Sequence, residues 1–421
     1  MTTAFVPADI LLPKNVDFQK WACIACDQFT SEPEYWEEAE KIADGSPSAL
    51  NLILPEAYLG KNGGEDDIKS ISESMKAYLD GDVFEELKNA LIYVERTQSD
   101  GIVRAGIVGA VDLECYDYNK GSQSLVRATE ATVPDRLPPR VKIRSQAALE
   151  LPHIMILIDD SQRCAIEPLC AKKDEMKKLY SFELMLGGGK IEGYLLPLDL
   201  QKQVLSALDS LADKLKFNEK YSLSDAEPLA FAMGDGNHSL AAAKAYYEQL
   251  KEQNPDKDLT NHPARYALCE LVNLHSDALK FEAIHRIISD VDKDNLFEAM
   301  TEALGLSQDK PSEQKITVVC GGEHKDFYIH NQTSRLTVGS LQNFLDEYIS
   351  EHGGSVDYIH GKDMLEKLSM KPNTVGFILP DMEKQQLFPT VIADGALPRK
   401  TFSMGHAVDK RYYIEARKII E

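Results

Sequence analysis

Apolar positions recur along the chain with two different periods, and each period predicts a different kind of element. Over residues 199–216, Val204, Leu208, Leu211 and Leu215 are spaced by four, three and four residues, which predicts one amphipathic helix. Short apolar runs bounded by turn residues predict buried strands, which in chain order cover residues 102–111, 154–158, 228–233, 267–274 and 375–379. Because helices and strands alternate irregularly, the pattern predicts an α+β fold.

Glycine and proline mark a hairpin and a boundary between larger parts of the chain. Three glycines at 187–189 separate two strand-like segments, which predicts a hairpin over residues 182–196. The stretch 309–313, Asp-Lys-Pro-Ser-Glu, is typical of a linker. We therefore expect a main α+β domain over residues 1–308 and a smaller C-terminal α/β region over 309–421, which packs on the main domain or completes it.

Composition narrows the classes of function. The chain has 421 residues, and 46 Lys and Arg against 68 Asp and Glu give a net charge of −22. Such acidity disfavours a nucleic acid or an anionic membrane as partner, since both are bound largely through Lys and Arg. The sequence shows no secretory signal pattern and no run near the ~20 apolar residues of a membrane-spanning helix. With seven thinly spread cysteines, these features predict a cytoplasmic protein with reduced thiols.

The sharpest local pattern is Phe231-Ala-Met-Gly-Asp-Gly-Asn-His-Ser-Leu-Ala-Ala-Ala243, which predicts a strand, a glycine turn and a helix over 237–252. A helix that begins at such a turn aims backbone N–H groups and the positive end of its dipole at one point, so an anion such as phosphate is favoured there. Gly234 and Gly236 allow the backbone to approach a ligand closely. The turn over residues 234–238 is therefore the first candidate site.

Two side chains of this turn suit chemistry, but they also suit a structural role. A carboxylate beside a phosphate is repelled unless a metal or a proton intervenes, so Asp235 indicates binding of Mg²⁺ or of a hydroxyl group. His238 can donate to a phosphate or transfer a proton. Alternatively, Asp235 and Asn237 only cap the helix, and Gly236 only makes the turn.

Positive side chains cluster in two windows of this acidic chain. In residues 127–144, Glu130 and Asp135 are outnumbered by Arg127, Arg136, Arg140, Lys142 and Arg144. This excess indicates either an anion clamp over the 234–238 turn or a solvated strand face. The second window contains Arg399, Lys400, His406, Lys410 and Arg411 with Asp409. Within it, Arg399 and Lys400 are the candidates for anion binding, because they lie in a loop.

Three other positions have both a chemical and a structural interpretation. Glu130 is either the base that removes a proton from a substrate hydroxyl or the partner of Arg127 in a salt bridge. Asp27, in an early turn, is a second candidate base or metal ligand. His285 follows an apolar run, where histidine is usually a core residue, although the adjacent Arg286 also suits an anion.

Several of these segments together resemble the family known as domain of unknown function 1015. The matching elements are Ala25-Cys-Asp-Gln-Phe-Thr-Ser31, Arg127-Ala-Thr-Glu130 with Asp135-Arg136, the 234–238 turn, His285-Arg286 and Leu397-Pro-Arg-Lys-Thr-Phe402. The turn resembles an Asp-Gly-His-His-Arg signature with two departures: Asn237 replaces the first His and Ser239 replaces the Arg. Loss of that arginine removes a bidentate clamp on phosphate.

The family is in turn distantly similar to the group of ParB, sulfiredoxin and free serine kinase. This resemblance implies a ParB/sulfiredoxin-like mixed core with helical insertions. It also implies that the chain handles a phosphate or a nucleotide, with ATP or ADP as ligand and serine or phosphoserine as substrate.

Residues and resemblance together predict a cytoplasmic enzyme that transfers a phosphoryl group to or from a small polar metabolite. On this hypothesis Asp235 binds Mg²⁺, with Asp27 as a second metal candidate, and His238, Asp235 and Glu130 are the catalytic residues. The phosphate-binding residues are Gly234, Gly236, Asn237, Ser239, Arg127, Arg136, His285, Arg286, Arg399 and Lys400. The alternative is a nucleotide-binding regulatory protein without turnover, which the missing signature arginine favours. The sequence leaves open the choice between kinase and phosphatase, and whether the chain forms a homo-oligomer.

Overall fold

The structure is a computed structural model, and it describes residues 4–58, 65–132 and 137–421. The chain forms two compact units. Unit 1 consists of Met1–Ala128, Thr132–Leu279 and Gly405–Glu421, and unit 2 consists of Thr129–Ala131 and Lys280–Met404. Both units contain helices and a sheet, so the predicted α+β class is confirmed. None of the helices in the described ranges has the length and apolar character needed to cross a membrane.

Helices occur in both units. In chain order they are α1 Phe18–Trp21, α2 Pro33–Ala43, α3 Glu65–Asp80, α4 Leu137–Gln146, α5 Leu198–Leu211, α6 Lys214–Tyr221, α7 Asn237–Gln253, α8 Lys293–Leu304, α9 Thr337–His352, α10 Lys362–Ser369 and α11 Leu387–Asp394. The prediction of one helix over 199–216 is wrong, because the chain breaks between α5 and α6. Asp213 begins a new helix there by accepting the N–H of Lys216 on its side chain.

The predicted apolar runs are among the strands, and further strands of two to nine residues lie elsewhere in the described ranges. They are β1 Phe5–Val6, β2 Ala8–Pro13, β3 Cys23–Ile24, β4 Phe84–Ala90, β5 Ile92–Thr97, β6 Val103–Asp112, β7 Tyr116–Asp117, β8 Val126–Arg127, β9 Leu149–Glu150, β10 Met155–Ile158, β11 Lys177–Glu183, β12 Lys190–Leu195, β13 Phe231–Asp235, β14 Tyr266–Asn273, β15 Phe281–Ser289, β16 Gln314–Cys320, β17 Glu323–Ile329, β18 Ser355–His360, β19 Thr374–Ile378, β20 Phe402–Met404, β21 Tyr412–Tyr413 and β22 Arg417–Lys418. The hairpin with the glycine tip is confirmed as β11 and β12.

Unit 1 is built on a mixed sheet in which the strand order is β11-β12-β5-β6-β14-β10-β13-β8-β7, with β1 beside β6. β10 and β14 are parallel and almost wholly buried, which explains their continuous apolar sequences. β13 lies between β10, to which it is antiparallel, and β8, to which it is parallel. The register pairs Asp235, the last residue of β13, with Met155. The 234–238 turn therefore leaves the sheet beside the start of β10.

The last residues of the chain return to unit 1. β21 pairs with β3, and β22 pairs with β9. A buried ionic network fixes this segment, because Arg411 pairs with Glu415 and, at 2.7 Å, with Glu270 on β14. Desolvated charges persist in a core only when they are paired in this way. The network holds Lys410 and Tyr413, on either side of Arg411 and Tyr412, at fixed positions in unit 1.

Unit 2 has its own sheet, in the order β17-β16-β19-β15-β18, and β20 pairs with the start of β15. Residues Thr129–Ala131 belong to this unit, because Glu130 forms a parallel bridge with Leu397. The division of the chain differs from the predicted boundary at 308–309. β15 and α8 precede that boundary but belong to unit 2, whereas residues 405–421 follow it but belong to unit 1. The strand pairings described above are the physical reason for both differences.

Candidate functional site

The 234–238 turn requires glycine at its centre. Gly236 has φ 79° and ψ 26°, which is the left-handed conformation. A Cβ atom at this position would lie 3.1 Å from Cα of Ile154 and 3.3 Å from Cδ2 of His153. Conformation and space therefore both select glycine, and the chain turns from β13 into α7 within one residue.

The N-terminus of α7 lacks a side-chain cap. Its N-cap residue is Gly236, so the capping role considered for Asp235 and Asn237 is not the one seen in the structure. The first turn also contains no acidic residue that would compensate the helix dipole. Among the described residues, the buried Oδ1 atom of Asn237 has no hydrogen-bond partner. Within α7, no acidic side chain of the first turn offsets the positive end of the dipole, and the carboxylate of Asp235 precedes the N-cap residue.

Asp235 is held by a cation from the C-terminal segment. Nζ of Lys410 lies 3.1 Å from Oδ2 of Asp235, and the two side chains are 14% and 24% exposed, respectively. The N–H of Gly236 donates to Oδ1 at 2.9 Å. Burial alone would raise the pKa of the Asp235 carboxyl group. The charges of Lys410 and His153, together with the hydrogen bonds from Lys410 and Gly236, outweigh burial, so the pKa lies below its usual range. Asp235 is therefore a paired carboxylate, and it brings an ammonium group to the turn.

A chain of hydrogen bonds, here called the Ser239 relay, joins Ser239, His153, Tyr413 and Cys26. Oγ of Ser239 lies 2.9 Å from Nε2 of His153, and Nδ1 of His153 lies 2.8 Å from the hydroxyl of Tyr413. That hydroxyl donates to Sγ of Cys26 at 3.3 Å and accepts the N–H of Cys26 at 3.1 Å. Burial, helped by the charge of Asp27, raises the pKa of Cys26 to about 11, so the thiol stays protonated at neutral pH.

Sequence reasoning missed His153 and Tyr413. They come from the segment before β10 and from β21, and they are 260 residues apart. Neither belongs to a periodic pattern or a compact motif. The available signal was the unexplained position of Ser239, a hydroxyl where the resembling family has arginine.

Arg127 is not brought to the turn. Its guanidinium donates to the carbonyl oxygens of Ser124 and Glu227, each at 2.8 Å. Glu227 precedes β13, whereas the turn follows β13. The guanidinium of Arg127 therefore binds at the end of β13 that is opposite to the turn. Burial lowers its pKa from the usual value.

The remainder of the first basic window is not a strand face. Residues 137–146 form α4, and two of its cations are paired within unit 1: Arg140 with Glu56, and Arg144 with Glu150 at 2.6 Å. The predicted phosphate ligand Arg136 lies outside the described residues.

The two predicted metal ligands, Asp27 and Asp235, are each a single carboxylate. Asp27 accepts a hydrogen bond from the side chain of Gln28 at 3.0 Å. In the part of the chain that the structure describes, no three His, Cys, Asp or Glu side chains are grouped so that they could hold a metal ion. Metal binding by Asp27 or Asp235 stays a prediction.

Unit 2 brings together the other predicted residues around Arg286. This buried arginine donates to the carbonyl oxygens of Arg399 and Lys400, each at 2.8 Å, and stacks 5.0 Å from the ring centre of Tyr358. Burial lowers its pKa to about 10, although Tyr358 and then Glu130 act in the opposite direction. Arg286 therefore positions the 399–400 loop, with Glu130 close by.

Two neighbours of Arg286 have partners of their own. The guanidinium of Arg399 contacts the hydroxyl of Tyr358 and lies 2.5 Å from Asp346. Nδ1 of His285 accepts the N–H of Leu379 at 3.2 Å. Burial, together with the charge of Lys362, lowers the pKa of His285 to about 4, so this histidine is neutral at pH 7. Its contacts are those of a core histidine.

The comparison with known families identifies the family of the chain. Residues 9–348 match the family described as Protein of unknown function (DUF1015), and since this is most of the chain, the protein belongs to that family. The resemblance seen in the sequence is thereby confirmed, although the element at 397–402 lies beyond the matched residues. No curated protein matches the chain.

Several solved structures are similar to the chain at low identity. SbnI from Staphylococcus aureus is 10% identical with a TM-score of 0.37, and the match covers 75% of this chain and 83% of SbnI. A free serine kinase in complex with ADP is 10% identical with a TM-score of 0.39, over 74% of this chain and 91% of the kinase. A conserved hypothetical protein from Pyrococcus furiosus is 10% identical with a TM-score of 0.36, over 74% and 94%. Likenesses at this level bear on neither substrate nor chemistry.

Proposed function

We propose that the protein is a cytoplasmic enzyme that binds a phosphate-bearing small molecule at the N-terminus of α7 and transfers its phosphoryl group. The observation that carries the proposal is the combination of an uncapped helix N-terminus at left-handed Gly236 with the ammonium group of Lys410 beside it. Backbone N–H groups and a nearby cation are what a phosphate group needs. The substrate class that we favour is serine or phosphoserine, with ATP or ADP as the nucleotide.

Charge explains how the site would accept its ligand. Lys410 already neutralises Asp235, so an incoming phosphate meets the helix dipole and an ammonium group that it shares with Asp235. Mg²⁺ usually binds through one or two carboxylates together with substrate phosphates, and it keeps several waters. Asp235 fits that mode, in which Mg²⁺ would neutralise phosphate charge. The described residues contain no group of three or more His, Cys, Asp or Glu side chains that could hold the metal ion.

The remaining roles belong to the same proposal. His238 lies in the first turn of α7, where it would transfer a proton, and Asn237 would contribute its N–H group and side chain. The predictions that Glu130 is a base and that Arg399 and Lys400 bind the same phosphate stay predictions.

A binding protein without turnover is the second candidate. The observation that favours it is that Ser239 replaces the signature arginine and that Arg127 is directed to carbonyl oxygens instead. Incubation with ATP plus serine, and separately with phosphoserine, distinguishes the two. Release of ADP or phosphate identifies an enzyme, whereas nucleotide binding without product identifies a binding protein.

Removal of the Lys410 cation tests the site itself. We expect Lys410→Met to weaken ADP or phosphate binding about tenfold, a loss of about 1.4 kcal/mol, since one charge-assisted contact disappears. Isothermal titration calorimetry measures this change. Lys418→Met is the matched control, because Lys418 is an exposed lysine of the same C-terminal segment and should leave affinity unchanged.

A second variant separates ligand binding from folding. Asp235→Asn combined with Lys410→Met leaves no unpaired carboxylate at the turn. Without Mg²⁺, a loss of affinity relative to Asp235→Asn alone in a normally folded double variant therefore reports the missing cation. If wild-type protein binds neither phosphate nor ADP at millimolar concentration, or if Lys410→Met binds as wild type does, the proposed site is wrong.

A further inference from the structure

The Ser239 relay has the arrangement of an activated nucleophile. A hydroxyl, an imidazole and a third group that orients the imidazole follow one another at hydrogen-bond distance: Ser239, His153 and Tyr413. This order of groups is the general signature of a nucleophile with its base.

The distances from the ring of His153 are compatible with either tautomer, and the hydrogen bond from Tyr413 to Cys26 favours one of them. Tyr413 has one hydroxyl proton, which is directed to Sγ of Cys26. The Tyr413 oxygen accepts the N–H of Cys26 and is then left to accept a proton from His153, whose Nδ1 lies 2.8 Å away. In a neutral imidazole with Nδ1 protonated, Nε2 is an acceptor. The hydroxyl of Ser239 therefore donates to Nε2, the direction that a general base requires.

The position of Ser239 in the fold places this nucleophile at the phosphate site. Ser239 lies in the first turn of α7, two residues after Asn237, and its side chain is partly exposed. Asp235 directly precedes the N-cap residue Gly236, and Cδ2 of His153 lies 3.3 Å from the position of a Cβ atom at Gly236, so imidazole and carboxylate lie at the same turn. Nucleophile, base and countercharge thus surround one helix end.

We propose that Ser239 is a covalent nucleophile for phosphoryl transfer, that His153 is its general base and that Tyr413 is a positioning residue for His153. The inference rests on the proposed function, since it takes the phosphoryl group from the ligand of the α7 site. The donor is a phosphate ester or a phosphoric anhydride, which share the reacting phosphoryl group.

The reaction balances without a further reactant in its first half. The Ser239 oxygen forms a bond to phosphorus while the bond between phosphorus and the leaving oxygen breaks, and the hydroxyl proton passes to Nε2 of His153. The leaving oxygen lies in line on the far side of phosphorus, and it departs as an anion that takes a proton from water. In the second half, a hydroxyl of water or of the acceptor metabolite attacks phosphorus from that far side and releases its proton to water. The bond between phosphorus and the Ser239 oxygen breaks, and His153 returns its proton to the Ser239 oxygen.

Trapping the intermediate tests the inference. The full chain is incubated with ATP in one arm and with p-nitrophenyl phosphate in the other, quenched in acid, and mapped by mass spectrometry. We expect phosphoserine at position 239 in at least one arm, and the arm that labels shows whether an anhydride or an ester is the donor. His153→Gln should slow labelling by ~10²-fold or more. The control His262→Gln should not change it, because the ring of His262 accepts the N–H of Ala264 at 3.1 Å, away from the relay residues.

Other variants separate a chemical role from a structural one. Ser239→Ala should lose the label, and Ser239→Thr should keep a label at residue 239, because its hydroxyl remains. Tyr413→Phe should slow labelling without changing the donor concentration that gives half the maximal rate. ADP binding without a label at 239, or a wild-type labelling rate in His153→Gln, overturns this inference but leaves the proposed function standing. Absence of ADP and phosphate binding overturns both.

Discussion

Arg411→Met is expected to lower the free energy of unfolding of the chain by about 3–5 kcal/mol. Arg411 is only 2% exposed and pairs with Glu270 and Glu415, which are both fully buried. Methionine fills a similar volume but leaves Glu415 without the cation of its ion pair and leaves Glu270 with Arg104, whose Nε lies 3.4 Å away. A buried charge that loses its partner is far more costly than a missing surface ion pair. Urea denaturation monitored by circular dichroism measures the change.

A matched control shows that the position of the arginine decides the result. Arg163 also forms an ion pair, with Asp277, but both side chains are largely exposed. Arg163→Met should therefore change stability by less than about 1 kcal/mol. Equal effects of the two substitutions would show that the buried network does not hold the C-terminal segment. Because Lys410 and Tyr413 flank that network, any Arg411→Met protein that still folds should also bind phosphate more weakly.

Gly236→Val is expected to destabilise the chain by about 3 kcal/mol and to abolish phosphate binding. A β-branched residue at φ 79° is strained, and its Cβ would press on the backbone of Ile154, which cannot move aside as a flexible side chain can. The same atom would lie 3.3 Å from Cδ2 of His153 and press on that ring. Thermal unfolding and calorimetric titration with ADP measure the two effects.

The comparison variant for this prediction is Gly101→Val. Gly101 has a similar φ of 81°, but nothing lies within 4 Å of the Cβ position. Its substitution therefore reports the cost of conformation alone, and ADP binding should be unaffected. An unchanged melting temperature for Gly236→Val would remove the argument that this turn needs glycine.

Local elements could be predicted from the sequence because their causes are local. The strand, turn and helix around Gly236 follow from neighbouring residues, and the structure places β13, the turn and α7 there. The break before α6 was missed, because a single capping side chain, Asp213, competes with a continuous apolar stripe. Pairing of β21 with β3 joins residues almost 400 positions apart, and no local pattern encodes such a partner.

For the candidate site as well, the local parts could be predicted from the sequence and the parts from distant segments could not. The turn itself was found, and the basic C-terminal window contained Lys410, but sequence alone favoured Arg399 and Lys400 within that window. The structure shows that Lys410 pairs with Asp235, because Arg411 beside it is fixed in the core. His153 and Tyr413 reach Ser239 only through tertiary structure, so neither could be assigned to the site beforehand.

A crystal structure of the full chain soaked with ADP tests the central claim most directly. The account predicts a phosphate group at the N-terminus of α7, with an oxygen about 2.7–3.2 Å from a backbone N–H of the first turn and with Lys410 in contact. ADP bound elsewhere, with the first turn of α7 and Lys410 left without phosphate, would contradict it.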